Sequence, residues 1–146
     1  MFEILLALLI ASAVSGVVPV VNAELLVVAA AAAVPAVGLP LVAAVSTAGQ
    51  MSTKTALFVV ARWAPHRLPV RARAALDRAG AAVEDRGGAA SSVVFASAAT
   101  GLPPFFGVSL ASGALGMRLS RFVTAGSLGR FARFSVLAAL GRVLGG

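Results

Sequence analysis

The sequence predicts an all-α integral membrane protein of two halves, each a broken or re-entrant hairpin followed by a longer transmembrane helix. Three observations predict it. Apolar residues make up 60% of the 146 and charged residues only 12%, against about 25% charged in ordinary soluble domains, and mean hydropathy is +0.99. Residues 4–53 carry a single charge and residues 87–117 carry none; either run exceeds the ~20 residues that one helix needs to cross the hydrocarbon core. Glycine and proline interrupt both runs at corresponding places, the pattern left by paired discontinuous helices in transport proteins.

The whole chain, 1–146, is read as one membrane domain: a first half over 2–61, a basic connector over 62–87 and a second half over 88–144. In the first half, Gly16 and Pro19 break the chain after about fifteen apolar residues, and Pro35, Gly38 and Pro40 break it again. Apolar stretches of ~10–14 residues suit re-entrant segments better than full spans. A helix over residues 25–33 and a long helix over residues 39–63 follow. The N-terminus lacks the positive segment of a cleaved signal peptide, because Glu3 is its only charged side chain and the apolar sequence runs on.

The connector holds Arg62, Arg67, Arg71, Arg73, Arg78 and Arg86 against Asp77, Glu84 and Asp85. Arginine-rich short loops stay in the cytoplasm, and Trp63 suits a headgroup-level anchor. The connector is therefore expected on the cytoplasmic side of a membrane that the chain crosses more than once. Leu68, Ala72, Leu76, Ala79 and Val83 fall on one helical face, as an in-plane amphipathic helix or a solvated connector. The second half runs from residue 89 to a break at Gly101-Leu102-Pro103-Pro104, restarts at Phe105, and ends in a long helix over residues 120–144. Gly101, Pro103 and Pro104 are its turn residues, as Pro19 is for the first half. Irregular backbone at membrane depth persists only where protein buries it or a wet cavity faces it.

Glu24 is the first candidate site residue. A carboxylate facing the bilayer centre costs roughly 2.5–3.5 kcal/mol on insertion scales. Three readings stand: a proton- or cation-coupling group in a cavity, a partner for an arginine that ties the halves together, or the acidic first residue of a helix, favoured by its dipole. Asn22 either caps that helix through its side-chain oxygen or contacts substrate. Arg130 and Arg133, three apart, share a helical face. They either grip a lipid phosphate, whose oxygens suit the guanidinium fork, or snorkel to headgroups. Gly113, Gly116, Gly126 and Gly129 suit close helix approach, and Gly141-x-x-x-Gly145 has the spacing of a membrane dimer contact.

Other chemistries find no footing. The chain has no cysteine and one histidine, His66, so a metal site is not expected. With neither a nucleophile elbow nor a phosphate-binding loop in the sequence, an enzyme and a bound cofactor are not expected. The net charge of +7 fits retention of arginines at a membrane face, and nucleic acid is not an expected partner.

The order Gly16-x-x-Pro19-x-x-Asn22-x-Glu24, then Gly49, Phe58 and Ala61-Arg62, resembles the first signature of the DedA family, also called the VTT or SNARE-associated Golgi protein family. Gly101-Leu102-Pro103-Pro104, Ala111-Ser112-Gly113, Met117, Phe122, Gly129-Arg130 and Arg133 resemble its second re-entrant segment, its small-residue turn and the helix that follows. The resemblance covers residues 10–140 and is closest to the short bacterial members. It implies a multi-pass protein of the bacterial inner (plasma) membrane, a carrier or scramblase of phosphate-bearing lipid, proton-linked through Glu24, with membrane lipids and protons as partners. The arginines that many members carry around the second re-entrant proline are replaced by Ala98-Ala99-Thr100 and Phe105-Phe106-Gly107, and no second acid follows until Asp77. A small multidrug exporter and a non-transporting accessory protein remain alternatives. So short a chain has few helices with which to enclose a pathway, which suggests a homo-oligomer.

Overall fold

The computed structural model describes residues 1–18, 22–84 and 90–146. Within them the chain is all-α: α1 (Phe2–Ser15), α2 (Ala23–Ala33), α3 (Leu39–Trp63), α4 (Val70–Glu84), α5 (Ala90–Thr100), α6 (Phe105–Ala114) and α7 (Leu119–Gly145). Short 3₁₀ turns, Ala36–Gly38 and Pro65–Arg67, lead into α3 and follow it. At 1.5 Å per residue, α3 and α7 are about 37 and 40 Å long, and α1, α2, α5 and α6 only about 15–21 Å. Each expected long helix is therefore present, beginning within one residue of its expected start. Pro40 does not break the chain. It sits at the start of α3, where a missing backbone N–H leaves no helical carbonyl unmatched.

Among the described residues, no helix is both long enough and apolar enough to cross a membrane. The cause lies in the two long helices: α3 carries Ser46, Thr47, Gln50, Ser52, Thr53 and Lys54, and α7 carries Arg121, Arg130, Arg133 and Arg142.

Packing divides the chain into two compact units that do not follow the linear halves. The first joins Met1–Thr53 to Arg130–Gly146, and the second is Lys54–Gly129. Both α3 and α7 run from one unit into the other.

In the first unit, α1 and α2 pack together. Leu8, Val27, Ala31, Val34, Val42, Phe134 and Ala138 form its core. Gly141 and Gly145 bring α7 against α2: a Cβ at Gly141 would lie 2.5 Å from the Val28 carbonyl oxygen, and one at Gly145 would lie 2.6 Å from Ala32 Cβ. The G-x-x-x-G spacing thus makes a close contact within the chain. Arg142 donates to the Val34 carbonyl at 3.4 Å, placing a cation at the carboxyl end of α2, where the helix dipole favours one.

Beside this apolar core, polar side chains also lie inside the unit and large apolar ones outside. Phe2, Leu6, Ile10, Leu25, Val136, Val143 and Leu144 are exposed, whereas Ser12, Ser46, Thr47 and Gln50 are buried.

In the second unit, α4 packs most extensively on α6, and α5 also contacts both. The apolar face of α4 is real, with Ala72, Ala79 and Val83 buried. It is covered by α6 of the same chain, not by lipid or water. A Cβ at Gly107 would lie 2.7 Å from the Ala75 carbonyl, so only glycine lets the two helices come this close.

The break between α5 and α6 falls at the expected residues. Gly101 has φ +82° and the Leu102–Pro103 peptide is cis. Positive φ is open to glycine at little steric cost. Ala111-Ser112-Gly113, in contrast, is no turn. It lies inside α6, buried, with Gly113 set against the Phe58 backbone. The actual turn is at Gly116, whose φ is +79° and beside which a side chain would meet open space. Gly129 does permit close approach, to Phe95 and Ala98 of α5.

Candidate functional site

The amino end of α2 and the middle of α7 build the site within the first unit. Asn22 is the N-cap of α2, and its side-chain oxygen accepts from the backbone N–H groups of Glu24 at 2.9 Å and Leu25 at 3.4 Å. These are two of the four donors that a helix start leaves unmatched. Of its two expected roles, Asn22 performs the cap. Its truncation to alanine should cost about 1 kcal/mol, read as a lower thermal midpoint, while Asn22→Asp should keep most of the stability. Equal midpoints for wild type and the alanine variant would show that the cap contributes nothing.

Glu24 lies in the first turn of α2, where the positive end of the helix dipole favours a carboxylate. It also forms an ion pair with Arg133, whose Nε donates to Oε1 at 2.8 Å while Nη2 closes on the same oxygen. The Glu24 side chain is 40% exposed and that of Arg133 23%. The pair is half-buried, so the dipole and pairing readings of Glu24 both describe its geometry.

Arg130 is more deeply placed, at 9% exposure, and lies within electrostatic reach of both Arg133 and Glu24. The helical period explains the difference between the arginines. Arg130, Phe134, Ala138 and Gly141 form one buried stripe along α7, and Arg133 stands at its edge, free to turn toward α2. Two guanidinium groups therefore share the neighbourhood of one carboxylate.

Pro19 lies outside the described residues. Gly101, Pro103 and Pro104 form the α5–α6 break in the second unit.

Sequence reasoning missed a polar seam between α1 and α3. Gly16 and Gly49 bring the helices together: a Cβ on Gly49 would lie 2.5 Å from the Leu9 carbonyl, and one on Gly16 2.7 Å from Thr53 Cβ. Across the seam, Thr53 Oγ1 donates to the Ala13 carbonyl at 2.6 Å and Gln50 Nε2 to Ser15 Oγ at 3.0 Å. Ser12 Oγ, Ser46 Oγ and Gln50 Oε1 are buried with no hydrogen-bond partner among the described residues. The available signal was the spacing Ser46, Gln50, Thr53 on one face of α3. The chain's single lysine, Lys54, is also buried, with Nζ 5.3 Å from the centre of the Phe106 ring in the second unit.

Comparison with models of protein families, with curated proteins and with solved structures finds no match to this chain.

Proposed function

We propose that this chain is a multi-pass membrane protein of the transporter or scramblase type, moving phosphate-bearing lipid or another amphipathic substrate with proton linkage through Glu24. The observation that carries the reading is the Glu24–Arg133 pair with Arg130 beside it. Carboxylate and phosphate are alternative partners for the same guanidinium fork. Protonation of Glu24 weakens its hold on Arg133 and frees that fork for a phosphate. Return of the proton to solvent restores the pair and expels the anion. Arg130 keeps the local charge positive throughout.

Membrane residence is supported by the exposed large apolar side chains of the first unit and by the serines, glutamine and arginine buried beside its apolar core. Without the hydrophobic effect between helices, membrane segments associate through small residues and polar contacts, as α1 with α3 and α7 with α2 do here. The motif order that resembles the DedA family supports the same class. Arginine retention argues for a cytoplasmic position of residues 62–87, and the resemblance to the DedA family argues for a bacterial inner membrane.

The test uses purified protein in liposomes with fluorescent phospholipid or polyprenyl phosphate at several pH values. Wild type should transfer lipid with a pH dependence that Glu24→Gln removes, and Arg133→Gln should lower transfer at least tenfold. Equal, equally pH-dependent transfer by wild type and Glu24→Gln would reduce the pair to a structural fastening. No transfer by folded wild type would favour a small-drug exporter or an accessory protein, separated by drug efflux in the same vesicles.

A further inference from the structure

The second unit carries a different surface, assembled around the chain's only tryptophan. Trp63, at the end of α3, is 74% exposed. The Arg62 guanidinium lies 5.5 Å from the ring centre and donates to the Met117 carbonyl at 3.0 Å, which draws the turn bearing exposed Arg118 to the same place. From the other side, Arg73 Nη2 of α4 donates to the Pro65 carbonyl at 3.2 Å, folding the start of α4 onto the turn that carries exposed Arg67. Arg71 is exposed on the same first turns of α4, and Val70 beside it is 87% exposed. The hydrogen bonds thus gather arginines from three separate stretches of sequence around one ring and one aliphatic side chain. The buried face of α4 is already taken by α6, so these arginines have solvent or a partner before them.

We propose that this face docks on an anionic phospholipid bilayer surface, with Trp63 and Val70 entering the headgroup layer and the arginines lying against lipid phosphates. The chemistry selects this occupant. Guanidinium groups bind phosphate through paired N–H donors, an indole with an apolar body and a polar N–H belongs at the membrane interface, and a negative leaflet attracts basic residues within a Debye length. A polyanion without an apolar layer would leave Trp63 and Val70 in water. The inference rests on the membrane residence proposed above, but not on transport or on Glu24.

Trp63 is itself the reporter. Full-length protein is placed in nanodiscs of phosphatidylcholine with phosphatidylglycerol, and its fluorescence is quenched by spin-labelled lipid of either headgroup. Labelled phosphatidylglycerol should associate with Trp63 at least fivefold more strongly than labelled phosphatidylcholine at low salt. That preference should fall to near one in about 1 M salt, where the Debye length is about 3 Å, and in the triple variant Arg67→Gln, Arg71→Gln, Arg73→Gln. These side chains are exposed, and far-UV circular dichroism reports whether the variant stays folded. Equal quenching by both lipids, or a preference that survives the triple variant, overturns the proposal. So does a Trp63 response to polyuridylate at least as strong as to anionic vesicles.

Alkaline carbonate extraction separates the two readings. Release of the chain from membranes would remove the residence reading, and the quenching test then proceeds on added vesicles. Retention with no headgroup preference would remove the docking face alone.

Discussion

Phe122→Ala should destabilise the second unit by about 3–5 kcal/mol, the range for large-to-small changes in a packed core. The ring is fully buried, stacked on Phe58 at 4.8 Å and on Phe105 at 5.9 Å between centroids. It joins α3, α6 and α7, three elements distant in sequence. Truncation removes both ring contacts at once, and α6 cannot close the gap at Phe58 while Gly113 already lies against the Phe58 backbone. At roughly 2–4 °C per kcal/mol for a chain of this size, the thermal midpoint should fall by roughly 6–20 °C. Phe122→Leu, which refills most of the space, should lose less than half as much. A midpoint within a degree or two of wild type would show that this aromatic stack holds nothing together.

The second large effect belongs to Gly141. Replacing it with valine would drive a branched side chain into the backbone of α2 at Val28, where even a Cβ would lie 2.5 Å from the carbonyl oxygen and 2.9 Å from Cα. Backbone cannot rotate aside as a flexible side chain can. The cost should reach the upper end of the 1–3 kcal/mol usual for overpacking. Because the same face of α7 carries Arg133 two turns earlier, the displacement should also weaken the Glu24 pair. Lipid transfer should therefore fall together with stability, whereas Phe122→Ala should lower stability with transfer preserved below the midpoint. Wild-type midpoint and transfer for Gly141→Val would mean that α2 and α7 are not held at this distance.

The long helices were legible because their ends are marked by strong local signals. Pro35 and Gly38 precede α3, Trp63 and Pro65 close it, and the Gly101–Pro103 break separates α5 from α6. Asn22 was legible for the same reason, since a cap acts on donors two and three residues away. What sequence could not resolve depends on partners distant in the chain. Arg130 and Arg133 share a face, and only packing decides that one continues the buried stripe while the other reaches Glu24. Gly141-x-x-x-Gly145 reads the same whether it meets a second copy or α2. Ala111-Ser112-Gly113 looked like a turn because small residues serve both in turns and in tight helix contacts. The polar seam left one periodic mark, Ser46, Gln50 and Thr53 on one face of α3, and only packing shows that this face meets α1.

Residues 130–146 pack with residues 1–53, and this arrangement dictates an order of birth. A ribosome makes α1, α2 and the start of α3 before the second unit, but the strip of α2 at Val28 and Ala32 receives its cover only when Gly141 and Gly145, more than a hundred residues later, emerge. Until then that strip is open to any other narrow helix, including the same segment of a sister chain. The first unit is therefore completed only after the second has been made, and the turns from Gly141 to Gly145 act as its clasp.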